Sequence, residues 1–187
     1  MSEFTFVTLI KGRKVEDIAN KLKIVREEIM IFPVSQHWHG VLIENEFENS
    51  ESLTMVLSKI LLTQAFLFIN CEDYGWGYTL YDKGREKAHL YISGEEDEIS
   101  LTEANLDYLI ELGGNYEDLN KLKEFVENFY YTPEIDFEGC DYFKKAFGFD
   151  NVEYVSYHHF KELPEDKIAG MGVLRIGGKH DGKKPKT

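Results

Sequence analysis

Two hydrophobic periods alternate along this chain. From Phe4 to Ile10 apolar residues run without helical spacing, which predicts a strand covered on both faces. Beyond Gly12 the period changes. Val15, Ile18, Ala19 and Leu22 recur every three or four residues and predict a helix from Val15 to about Lys23. Glu27 to Val34 fits neither period, and Pro33 argues against a long helix there. His37 to Glu44 reads as a strand and Asn45 to Ser50 as a polar loop. Leu53, Val56, Leu57, Ile60 and Leu61 form the stripe of a second helix capped by Ser50 or Ser52.

Ala65 to Cys71 is a continuous apolar run of strand length, expected at the centre of a sheet. Trp76 to Tyr81 and Glu86 to Ser93 alternate as strands, joined by Asp82-Lys83-Gly84, a good hairpin turn. A helix marked by Leu101, Leu106, Leu109 and Ile110 is expected to start near Thr102 and stop at Gly113-Gly114. Leu119, Leu122, Phe125, Val126 and Phe129 mark another, ending before Pro133. Phe137 to Phe147 predicts a third, Val152 to Phe160 a strand, and Lys167 to Ile176 a final short strand. The order implies an α+β fold: a mixed, largely antiparallel sheet with two early helices and a cluster of acidic helices inserted before the last strand or strands.

With 187 residues, the chain suits one domain over residues 1–176, with an acidic helical segment over 94–147 and a flexible basic tail over 177–187. A chain of this length buries roughly 70% of its unfolded surface and needs no disulfide or metal staple. Cys71 and Cys140 suggest no disulfide framework, Met1 to Ile10 does not resemble a signal peptide, and no apolar run is long enough to span a bilayer. A reduced, cytoplasmic protein with no membrane partner is the expectation.

Charge sharpens the picture. Between Gly94 and Asp141 stand fifteen acids and two bases, so this quarter of the chain carries the whole net charge of −13 and the rest is balanced. Glu103, Asp107 and Glu111 stack at i, i+4, i+8 on one helix face, after the run Glu95-Glu96-Asp97-Glu98. Such a surface repels nucleic acid and suits a basic protein partner.

Other motifs point to chemistry more weakly. His37 and His39, two apart in an expected strand, would face one way and could hold zinc, with His158, His159, His89 or Glu44 as a third ligand. This would make a metal-dependent hydrolase. Trp76, Tyr78, Tyr81, His89 and Tyr91 could line an aromatic pocket. Asp136, Glu138 and Asp141 lack the spacing of a calcium loop. Phosphate-loop and dinucleotide motifs are absent, but Lys11-Gly12-Arg13-Lys14 before a helix could greet one phosphate. No catalytic constellation emerges. The leading expectation is a non-enzymatic, immunity- or inhibitor-like binding module with no cofactor. A self-associating structural or regulatory protein is the remaining reading.

Overall fold

The computed structural model describes residues 4–71, 74–93, 99–100, 104–129, 138–149 and 151–177. The chain runs β1 (Phe4–Lys11), α1 (Val15–Leu22), β2 (Ile29–Pro33), β3 (Trp38–Ile43), α2 (Glu46–Leu61), β4 (Gln64–Cys71), β5 (Gly75–Asp82), β6 (Arg85–Ser93) and β7 (Ile99–Ser100). Among the described residues there follow α3 (Leu106–Glu111), α4 (Tyr116–Phe129), α5 (Glu138–Phe147), α6 (Tyr157–Glu162) and α7 (Glu165–Gly170). The last element is β8 (Leu174–Ile176). Among the described residues eight strands form one sheet in the order β7-β6-β5-β4-β1-β3-β2-β8, each pairing antiparallel. The first six elements, with strand order 4-1-3-2, make a split β-α-β unit. The hairpin of β5 and β6 extends it on one side and β8 on the other. Both outermost strands are very short, which limits edge-to-edge pairing.

The sheet buries both faces. Ile10, Ile29, Ile31, Val41, Ile43 and Ala65 point to α1 and α2, meeting Ile18, Leu22, Leu53 and Leu57. Val7, Leu9, Phe66, Phe68, Tyr78 and Leu90 point the other way, towards α3 to α7. Phe143 of α5 centres this larger core. Its ring stacks on Tyr78 at 4.6 Å and also meets Phe66, Phe68, Phe147 and Phe149. The tip of the Phe32 ring sits against Gly40 on the neighbouring strand, where a Cβ would come within 2.2 Å of it.

The turn between β5 and β6 is the expected hairpin. Lys83 (φ 52°) and Gly84 (φ 80°) both take positive φ, the two-residue turn that matches strand twist. Three expectations are corrected. Residues 46–50 are not loop but the first turns of α2, entered through Asn45 in the left-handed region (φ 59°). The stretch from Val152 to Phe160 is not a strand. Val155 pairs with Phe6 through a single 2.8 Å backbone bond, and Ser156 then caps α6 by accepting the His159 N–H. Tyr157 and Phe160, three apart, are the buried face of that helix. Finally, the stretch from Lys167 to Ile176 opens as the end of α7, through Gly170, and only its last three residues form β8.

Polar groups knit α2 into the fold. The Thr54 hydroxyl donates to the Ser50 carbonyl and so accepts from Thr8 of β1 at 2.6 Å. At the start of the same helix Glu46 is buried. Its Oε2 accepts the Tyr157 N–H at 2.8 Å, while Oε1 is sealed without a partner among the described residues. Burial raises the Glu46 pKa above its ordinary 4.5, against the opposing pull of the Tyr157 N–H and His158.

Two tests follow from this packing. Phe143→Ala should cost about 3–5 kcal/mol in urea unfolding, because it hollows the larger core. Glu46 favours the folded state most when protonated, so its contribution is full below pH 4.5 and falls as pH rises through its folded-state value. Glu46→Gln should therefore raise Tm near neutral pH, and the gain should close as pH drops towards 4.5. A gain independent of pH would contradict this.

Candidate functional site

The helices α3, α4 and α5 turn their apolar stripes into the larger core. Leu109, Leu119, Leu122, Val126, Phe143 and Phe147 are buried there. What remains outward is mostly acid. Asp107, Glu111, Glu117, Glu124, Glu127, Glu138 and Asp141 are exposed, and Asp118 is half-buried. Asp141 is held by Lys144 at 3.3 Å, and the Tyr142 hydroxyl donates to Glu138. Asp107, Glu111, Glu117, Asp118, Glu124 and Glu127 form no ion pair among the described residues. Lys121 leans on the Tyr142 ring, 5.8 Å from its centroid. Asp107 and Glu111 keep the predicted one-turn spacing on α3. Glu95, Glu96, Asp97, Glu98 and Glu103, together with the lysines of the tail, lie outside the described residues.

The aromatic set does not share one pocket. A strand sends alternate side chains to opposite faces. Trp76 and Tyr78 lie in the larger core, and the Tyr78 hydroxyl donates to the Ala104 carbonyl at 3.0 Å. Tyr81, His89 and Tyr91 have the opposite parity and lie on the α2 side. There the Tyr81 hydroxyl donates to Glu51 at 3.1 Å, and His89 Nδ1 is 2.9 Å from the Thr79 hydroxyl. Burial and the nearby Glu51 push the Tyr81 phenol well above its usual range. The glycines around Trp76 serve packing: a Cβ on Gly77 would strike the Leu90 carbonyl and the Tyr91 ring.

His37 and His39 do come together, but not as strand neighbours. The strand begins at Trp38, so His37 sits in the turn between β2 and β3. The pairing of Ile10 with His39 carries this turn to the one between β1 and α1, where Gly12 N–H donates to the His37 carbonyl at 2.7 Å. Between the turns lies an open cavity of about 440 Å³ lined by Arg13, Lys14, Glu16, His37 and His39, among others. The Arg13 guanidinium is anchored on the Leu62 carbonyl at 3.2 Å. Lys14 precedes α1, whose first turn has no side-chain cap. His39 Nδ1 is sealed from solvent without an acceptor among the described residues. Burial lowers the His39 pKa, and Glu16 opposes that shift.

Among the described residues no group of three or more His, Cys, Asp or Glu side chains could hold a metal ion. His158 and His159 lie on α6, and His89 is on β6. The run Lys11-Gly12-Arg13-Lys14 was the readable signal for the cavity, but Lys11 itself turns to the Leu112 carbonyl of the other layer. Glu16 carried no signal of its own. No helix among the described residues is long and apolar enough to cross a membrane. Comparison with known proteins finds no matching family model and no curated protein or solved structure of significant similarity.

The environment of His39 is open to direct measurement. Its imidazole should titrate below 6.5 by NMR, and Glu16→Gln should lower the midpoint further by removing the charge that favours the imidazolium. A folded-state pKa below the unfolded one means that this group's contribution is intact above pH 6.5 and lost as pH falls through that range. A midpoint unchanged by Glu16→Gln would contradict the assignment.

Proposed function

We propose that the protein is a non-enzymatic binding module that docks a basic protein partner on the outer surface of α3, α4 and α5, as an immunity protein or inhibitor would. The observation that most supports this reading is the set of six acids on α3 and α4 without an ion pair among the described residues. Like charges one helical turn apart, as at Asp107 and Glu111, cost roughly 0.2–0.5 kcal/mol per pair in an isolated helix. A cationic surface laid against them relieves that repulsion and is drawn in by the same field. Tyr116, 62% exposed at the start of α4, offers an aromatic anchor beside the acids. The acids of residues 95–103 precede these helices in sequence and add to the segment's charge.

Capture of partners from lysate tests this reading. Wild type is compared with Asp107→Lys/Glu111→Lys/Glu124→Lys/Glu127→Lys, and with Glu48→Lys on α2 as a control. Wild type and control should retain a basic protein at low salt and release it as screening shortens the range of the field to a few ångströms, near 1 M salt. The fourfold variant should not retain it. Equal retention by all three proteins would refute the proposal.

A further inference from the structure

We propose that the cavity between the β1–α1 turn and the β2–β3 turn binds a small-molecule phosphate monoester, held by Arg13, Lys14, His37 and His39. It is separate from the acidic surface, since α1 lies on the opposite face of the sheet from α3, α4 and α5.

Three observations converge. First, cationic and imidazole side chains from two turns distant in sequence line one cavity, and the Gly12–His37 backbone bond fixes the turns together. Neither Arg13 nor Lys14 has a carboxylate partner among the described residues. Glu16 is the one acid among the lining residues, so the fixed charge of the lining is positive even with both imidazoles neutral. Such a spot stands out in a protein of net charge −13.

Second, the His39 ring is oriented for an anion rather than for a metal. With Nδ1 sealed and lacking an acceptor, a proton on that nitrogen would be a buried, unsatisfied donor. Nε2 is not sealed in this way, and with the proton there the ring offers an N–H donor to the cavity. A metal-bound histidine needs the reverse: a bare nitrogen at the metal and an N–H on the far side donated to an acceptor. His39 has no such acceptor among the described residues.

Third, the cavity's size and donors suit a phosphate carrying an organic group. About 440 Å³ exceeds what a bare phosphate fills and falls in the range of small-ligand sites. A guanidinium, an ammonium and ring N–H groups can serve the several oxygens of a dianion, and the uncapped first turn of α1 adds its partial positive charge.

The test is an amide and histidine NMR titration of the full chain with ribose 5-phosphate, inorganic phosphate and ribose in parallel. Ribose 5-phosphate should shift Gly12 to Glu16 and His37 to His39 saturably. Inorganic phosphate should shift the same signals with weaker affinity, and ribose should shift none. Arg13→Gln/Lys14→Gln, at a half-buried and an exposed position, should weaken binding about tenfold or more, the loss expected for one or two charge-assisted hydrogen bonds. Glu16→Gln should tighten it. The proposal is overturned if neither phosphate gives saturable shifts, or if the double variant binds as wild type does. Tighter binding of zinc than of either phosphate at His37 and His39 would also overturn it.

Discussion

An antiparallel sheet that is apolar on both faces cannot stop at one covering layer. This constraint organises the molecule. The split β-α-β unit supplies only α1 and α2, and both lie on the same side, over Ile10, Ile31, Val41 and Ala65. The opposite face, with Leu9, Phe66, Phe68, Tyr78 and Leu90, would be left to water. At roughly 25 cal/mol per Å² of apolar surface, leaving it bare would cost more than a domain of this size can spare. The chain beyond β7 meets that demand. Its helices plant Phe143 and Phe147 on the sheet and pack the leucines of α3 and α4 into the same core, and their outer faces are then free to carry charge.

That division of labour explains why the acidity is local. A helix fixed by one apolar stripe tolerates almost any polar residue on its other side, and here those residues are carboxylates. The two helical layers therefore differ in electrical character. The late layer is strongly acidic. The early layer carries a cationic cavity at its edge, where the turn before α1 meets the turn before β3. A partner protein on one side and a small anion on the other would not compete for the same residues.

The sequence made the regular elements readable and the junctions much less so. The hairpin at Lys83-Gly84 was plain because positive φ restricts residue choice. The apolar run that became β4 and the stripe that became α5 were equally clear. The opening of α2 was hidden because Glu46, Glu48 and Asn49 resemble loop, although Glu46 is buried against Tyr157. The helix α6 was hidden because Val152, Tyr154, Val155 and Tyr157 are residues that favour strands, and only Ser156, its cap, marks the start of the helix. Local charge could be counted along the chain. The meeting of Arg13 with His37 and His39 could not, since it depends on which strands pair and in what register: Ile10 with His39 and Lys11 with Trp38. Strand parity was available for the aromatic set, and it separates Trp76 and Tyr78 from His89 and Tyr91.

The central claim is that the charge is divided between two sides of the molecule and left unneutralised on the acidic one. Amide relaxation enhancement by paired cationic and anionic nitroxide cosolutes reads the local potential residue by residue. The account predicts strong preference for the cationic probe along Asp107 to Glu127, and a reduced or reversed preference from Gly12 to Glu16 and at His37. The same preference at both places would contradict it.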